Sequence, residues 1–400
     1  MRKRVIVPIL TALCACFMSA AISACGGSKK KDYGPHAHNV ENGACTYCDR
    51  PESSEGLEFS RNRDGTYTLT GMGTCRSREV VVDLYKHKEV TAIGVEAFQD
   101  CSSVASITIG ESVVSIGEGA FSNCIALTEL SLPDGLECIE NYTFLNCGRL
   151  KSVKIPNSVT SVGFAAFSNC GKLESIKLPD GVTSIGSAAF HECGSLKKIT
   201  LPDGLERIGF ATFTNCTALT SVTIPDGVTS IGSEAFLGCS SLKKVTLPES
   251  VTGIGAGAFM DCSSLTNISV SSENAAYQSI DGSLYSKDGR TLIQYAIGKT
   301  NSSFAIPSGV KTIADYAFYE SDHLTSVTIG GGVTSIGENA FGFCNSLASV
   351  TFEATSGWHR TDLWMNWTEK TGGTAVDVTD STANAAYFTG ANSSEYWYKL

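Results

Sequence analysis

Apolar and polar residues repeat along this chain with a period of 23, and phenylalanine marks the period. Phe98, Phe121, Phe144, Phe167, Phe190, Phe213, Phe236 and Phe259 fall 23 residues apart, and Phe318 and Phe341 restart the count after an interruption. Three residues after nine of these ten comes a cysteine: Cys101, Cys124, Cys147, Cys170, Cys193, Cys216, Cys239, Cys262 and Cys344. Ser321 fills the slot in the Phe318 repeat. A fixed period of this length signals a solenoid, in which each unit buries its apolar face on its neighbours.

The unit from Cys170 to Phe190 shows what one period encodes. Leu173, Ile176 and Leu178 are apolar, with polar Ser175 and Lys177 between them, the alternation of a half-buried strand. Pro179 ends that strand because it cannot donate to a ladder, and Asp180-Gly181 supplies turn residues. Val182 and Ile185 predict a second short inward stretch, Gly186 a bend, and Ala189-Phe190 a return into the coil. Down the chain the inward columns stay aliphatic: Ile107, Leu130, Val153, Ile176, Ile199, Val222, Val245 and Ile268 form one. Ile116, Ile139, Val162, Ile185, Ile208, Ile231 and Ile254 form another. Stacked at about 4.8 Å per coil, ten units make a body roughly 50 Å long.

The pattern C-x-x-L-x-x-I-x-L-P-x-x-V-x-x-I-G-x-x-A-F-x-x-C resembles the BspA-like leucine-rich repeat family of bacterial surface proteins, over residues 90–352. The resemblance implies a repeat solenoid: a leucine-rich-repeat horseshoe of about ten coils, with a parallel β-sheet on one face and short helical turns. It also implies adhesion or host-protein binding as the function.

Outside the repeats the chain divides into segments. Residues 1–24 read as a secretory signal, with Arg2, Lys3 and Arg4 ahead of the apolar run from Val5 to Ala21. A transmembrane helix is the alternative, but the run is short and ends in small residues. Ile22-Ser23-Ala24-Cys25 has the form of a bacterial lipobox, which makes Cys25 the expected lipid anchor at a bacterial membrane, facing out of the cytoplasm. Residues 25–56 form a tether. Within it, His36, His38, Cys45 and Cys48 offer two imidazoles and two thiolates for a structural zinc. A Cys45–Cys48 disulfide or a plain polar spacer are the alternatives. Such a zinc site would use all four ligands and leave no position open for catalysis.

Residues 57–90 predict an N-terminal cap, with a hairpin turning at Asp64-Gly65 and an irregular first coil from Val80 to Leu84. Repeats occupy 91–352. Residues 271–304 interrupt them, and Asp281-Gly282 and Asp288-Gly289 read as the turns of β-hairpins bulging from the solenoid. Their spacing does not fit an EF-hand loop, so turn chemistry is preferred to calcium. Residues 353–400 hold all four tryptophans, Trp358, Trp364, Trp367 and Trp397. They read as a C-terminal aromatic cap, with an aromatic binding surface as the alternative.

Charge and chemistry narrow the function. The net charge is −10, and removing the three cations of residues 1–24 leaves −13, which argues against nucleic acid as a partner. The chain contains no G-x-S-x-G, H-E-x-x-H or phosphate-binding loop motif, so no enzyme class is indicated. Register would bring adjacent ladder cysteines within disulfide range, yet each occupies an inward corner and reads as a buried reduced thiol. The outward strand positions are rich in Ser and Thr and include Lys154, Lys177, Lys198 and Lys244. These lysines mark a candidate ligand-binding face for an acidic protein or glycan, while strand propensity and protection against edge pairing also account for such residues. The expectation is a lipid-anchored cell-surface module for binding or adhesion, without catalysis. The alternative is a structural or accessory surface lipoprotein, such as a spacer or glycan-capture component.

Overall fold

The computed structural model describes residues 52–362, 370, 372–390 and 394–400, together with the backbone of Val40–Glu41 and Ala44–Cys45. The signal segment, Cys25, His36, His38, Cys48, Trp364 and Trp367 lie outside the described residues.

Each coil begins with the strand that the alternation predicts. In Ser175–Lys177 the pattern is exposed, buried, exposed, and Ile176 points inward. Strands of successive coils pair in parallel with an offset of one repeat: Ser175↔Lys198 and Ile176↔Ile199 in one pair, Ser221↔Lys244 and Val222↔Val245 in another. The prolines then close a turn rather than merely ending a strand. Val182 N–H donates to Pro179 O at 3.1 Å, and the turns at Pro133, Pro156, Pro202 and Pro225 repeat the bond. A second strand follows, as at Ser184–Ile185, paired with Ser161–Val162. At the bend after it, a Cβ on Gly186 would lie 2.5 Å from the backbone of Gly163 and Phe164, so only glycine permits this approach.

The phenylalanine corner completes the coil. Residues two before and two after each ring take left-handed backbone, as at Ala165 (φ 49) and Asn169 (φ 59) around Phe167. This alternation turns three N–H groups toward the next coil: Ala165, Phe167 and Asn169 donate to Ser187, Ala189 and His191 at 3.0, 2.8 and 2.7 Å. Two left-handed residues per corner also break any helix, so among the described residues the coil corners are turns and not the expected helical turns. Among the described residues, Ser381–Thr389 is the one α-helix, and no helix is long and apolar enough to cross a membrane. From Phe98 to Phe259 the rings stack at 5.1–5.6 Å with interplanar angles of 14° or less.

The phenylalanine count gives ten coils, but the described residues contain twelve sheet-side strands, from Glu79–Val82 to Ser349–Phe352. One additional coil is the irregular first one. The other falls in the interruption and contributes the strand Ser303–Ala305, parallel to Ser326–Ile329. There Tyr277–Ile280 pairs antiparallel with Ser283–Ser286, which pairs antiparallel with Thr291–Gln294, which in turn runs parallel to Thr312–Ile313. The segment is a level of the stack, not an outgrowth: Leu284, Tyr285, Leu292 and Tyr295 are buried. Tyr295 takes the ring position, stacked on Phe318 at 5.1 Å. The core nonetheless divides here, with one cluster ending at Leu284 and the other starting at Tyr285.

Both ends are covered. Glu58–Arg61 and Tyr67–Gly71 form an antiparallel pair, and the latter runs parallel to Lys88–Ile93. At the other end Tyr396–Lys399 pairs antiparallel with Ser335–Ile336 and with Trp358–Thr361. Asp380 caps the helix by accepting from the N–H groups of Thr382 and Ala383. Phe388 of that helix meets Phe341 at 5.0 Å and Trp397 at 4.5 Å. Trp358 and Trp397 are buried and serve the cap.

Candidate ligand-binding face

The parallel register arranges the exposed lysines in columns. Lys198 and Lys244 align through Ser221 between them, since Lys198↔Ser221 and Ser221↔Lys244 are partners. They are therefore two coils, about 10 Å, apart along the stack. Lys154 and Lys177 end the strands of two successive coils, two residues along from that column and on the same outward side. All four side chains are exposed.

The face holds more lysine than strand alternation reveals. Lys151, Lys197 and Lys243 are also exposed, each directly after a buried leucine (Leu150, Leu196, Leu242) and one residue before its strand. Their N–H groups donate to Thr128 O, Glu174 O and Thr220 O, which puts them in a column of their own. The missed signal was the residue after each Leu of the C-x-x-L unit, which lies outside the two-residue alternation. Glu174 is the acid of this column. Its carboxylate accepts from Lys197 Nζ at 2.9 Å, and that bond, with Lys197, Lys151 and Lys172 close by, holds its carboxyl below the usual range. Such an exposed pair contributes little stability, so it does not commit Lys197 to a structural role.

The cysteine ladder is built for structure. Cys124, Cys147, Cys170, Cys193, Cys216, Cys239, Cys262 and Cys344 each donate from Sγ to a phenylalanine carbonyl 26 residues earlier, at 3.0–3.2 Å. Burial pushes the thiols up, Cys147 and Cys193 to about 12, the opposite of an activated nucleophile. At Ser321 the bond is missing: the carbonyl in register, Tyr295 O, accepts instead from Gln294 Nε2 at 3.1 Å, and the buried Ser321 hydroxyl has no partner among the described residues.

Other candidates resolve as local chemistry. Asp288 accepts from Ser286 Oγ and Arg290 N–H across its turn, and Asp281 accepts from Lys299 Nζ. His191 is half-buried, and burial holds its pKa down. Cys45 falls in a two-residue strand, Ala44–Cys45, paired with Val40–Glu41, and the other three proposed zinc ligands lie outside the described residues. Among the described residues no three His, Cys, Asp or Glu side chains are grouped to hold a metal.

Comparison with known proteins matches this geometry. The family profile described as "BspA type Leucine rich repeat region (6 copies)" matches residues 81–197, 183–299 and 293–358. A solved leucine-rich cell surface protein from Faecalibacterium prausnitzii is 31% identical, with 76% of this chain and 77% of that one covered and a TM-score of 0.58. A leucine-rich repeat protein from Bacteroides ovatus is 26% identical, covering 74% of this chain and 93% of that one, with a TM-score of 0.48. A leucine-rich repeat protein of T. pallidum is 27% identical over 54% of this chain and 90% of that one, with a TM-score of 0.44. No curated protein matches the chain significantly.

Proposed function

The chain belongs to the BspA-type leucine-rich repeat family, and from that premise we propose that it is a cell-surface binding module whose lysine-bearing sheet face docks an acidic macromolecule, without catalysis of its own. One observation carries the reading. A chain with net charge −10 concentrates Lys151, Lys154, Lys177, Lys197, Lys198, Lys243 and Lys244 on the exposed side of neighbouring strands. A cationic field on an otherwise acidic body steers acidic partners and rejects basic ones. The Ser and Thr hydroxyls between the lysines supply further hydrogen bonds. Surface placement draws on the cell-surface relative and on the lipobox at Cys25.

The test is binding of the protein lacking residues 1–25 to extracellular-matrix proteins and to acidic and neutral glycans. A salt-sensitive hit, lost when Lys154, Lys177, Lys198 and Lys244 are all changed to Glu, is the expected result. Binding indifferent to those changes, or no binding to any acidic probe, overturns the assignment and leaves a structural or accessory lipoprotein. Anchoring is read separately: labelled palmitate should enter the full-length protein and not its Cys25→Ser form.

A further inference from the structure

The ladder of corner N–H groups is interrupted after the Phe236 coil. In the seven coils from Phe98 to Phe236, the ring residue and the residues two before and two after it all donate to the following coil. The last of these contributes Glu234 N–H to Ala256 O at 3.2 Å, Phe236 N–H to Ala258 O at 2.8 Å and Gly238 N–H to Met260 O at 2.9 Å. The equivalent donors one coil on are Gly257, Phe259 and Asp261. Among the described residues none of the three N–H groups has an acceptor. Gly257 and Phe259 are buried. Buried backbone donors without partners are rare in folded proteins, and each calls for a water or ligand that supplies the acceptor.

The hairpin of residues 277–286 causes the break. Its strands enter the ladder of second strands ahead of Thr291–Gln294, and its turn meets the sheet-side strand where Ile268 N–H donates to Gly282 O at 2.8 Å, so the Tyr295 coil does not seat directly on the Phe259 corner. That coil is tied down elsewhere, by Gly298 N–H to Leu265 O at 2.9 Å. What remains is a cleft of about 210 Å³ with Ile254 to Phe259 on one wall and Ile293, Gln294, Ala314 and Asp315 on the other.

The two walls differ in chemistry. One presents a row of backbone donors, and the other a carboxylate, Asp315, whose Oδ1 also accepts Glu338 N–H at 2.8 Å. Between them the lining is apolar, from Ile254, Ala258 and Ile293. The negative charge of Asp315 in the lining disfavours an anion. Glu234 and Glu338 lie near enough, with Asp315, to raise the pKa of Tyr316, whose main cause is burial. An inserted peptide strand would need acceptors along both edges, and the second wall offers only one. A sugar ring carries hydroxyls that accept from N–H groups and donate to a carboxylate, and its C–H face suits an apolar lining. The volume admits one ring rather than a chain. We propose that this cleft binds a single residue of a neutral glycan, its hydroxyls accepting from Gly257 and Phe259 N–H and donating to Asp315. The site lies at the coil corner, and this inference does not rest on the lysine-bearing strands.

Amide NMR of the isotope-labelled protein lacking residues 1–25 tests it, with methyl glycosides of neutral hexoses, deoxyhexoses and N-acetylhexosamines as probes. At least one probe should shift the Gly257, Phe259 and Asp261 amides and slow their hydrogen exchange. Ala256→Trp, at an exposed lining position that keeps the fold, should abolish the shifts. Asp315→Asn should weaken binding by about tenfold or more. Changing the four sheet lysines to Glu should leave it unchanged, which separates this site from the docking face. If no probe moves these amides, or if Ala256→Trp binds as well as the parent, the cleft holds ordered water only and the proposal fails.

Discussion

Mild alkali should unfold this protein steeply, because of the cysteine ladder. Eight thiols donate to phenylalanine carbonyls inside the stack, and each is 1% exposed or less. Burial disfavours the thiolate, and Cys147, Cys193 and Cys344 are pushed up from 9.0 to about 12. Cys170, Cys216, Cys239 and Cys262 are raised in the same direction by the same cause. The folded state therefore keeps protons that the unfolded chain releases, so the stabilisation is whole below pH 9 and declines as pH rises toward 12. At about pH 10 an unfolded thiol is mostly ionised, which costs the folded state about 1.4 kcal/mol per site. Eight such sites amount to about 11 kcal/mol, comparable with the whole stability of a typical domain. The assay follows circular dichroism and thiolate absorbance together, from neutral pH upward, with reductant present. Both signals should change in one transition between about pH 9 and pH 10.5, with no thiolate absorbance before unfolding. Replacing Cys170, Cys193, Cys216 and Cys239 by Ser should move the transition to higher pH, as Ser does not ionise. Thiolate absorbance growing in a protein that is still folded, or a stability flat to pH 10, would refute the reasoning.

Three further outcomes follow from the packing. Phe213→Ala removes a fully buried ring stacked on Phe190 and Phe236, and should cost about 3–5 kcal/mol in urea titration; an unchanged midpoint would remove the ring column from the core. Gly298→Ala places a Cβ 2.3 Å from the Ser264 backbone and should destabilise the junction of the two core blocks by about 1–3 kcal/mol, whereas a neutral result would mean the seam is loose. Asp380→Ala deprives Thr382 and Ala383 N–H of their acceptor and should cost about 0.5–2 kcal/mol, read as a lowered melting temperature; no change would deny the helix a role in sealing the last coil.

The repeat made most of the fold legible because each site packs on copies of itself. An inward column limited to Val, Ile and Leu, or a ring every 23 residues, is the trace in sequence of a lattice contact repeated within one chain. The same regularity concealed what departed from it. Tyr295 stands 23 residues before Phe318 and holds the ring position, but a tyrosine for phenylalanine and Gly298 in the cysteine slot hid that coil inside an apparent insertion. Gly298 is required there because a backbone, not a side chain, lies against it. Lys151, Lys197 and Lys243 escaped for another reason: strand alternation assigns faces only within the strand, and these residues precede it. The unpaired donors of Gly257, Phe259 and Asp261 left no trace in sequence at all, since the residues that create them are those of the following coil, displaced by a hairpin. In an array of near-identical units, a site with its own chemistry arises where one unit fails to meet the next, and here that place is the seam between Phe259 and Tyr295.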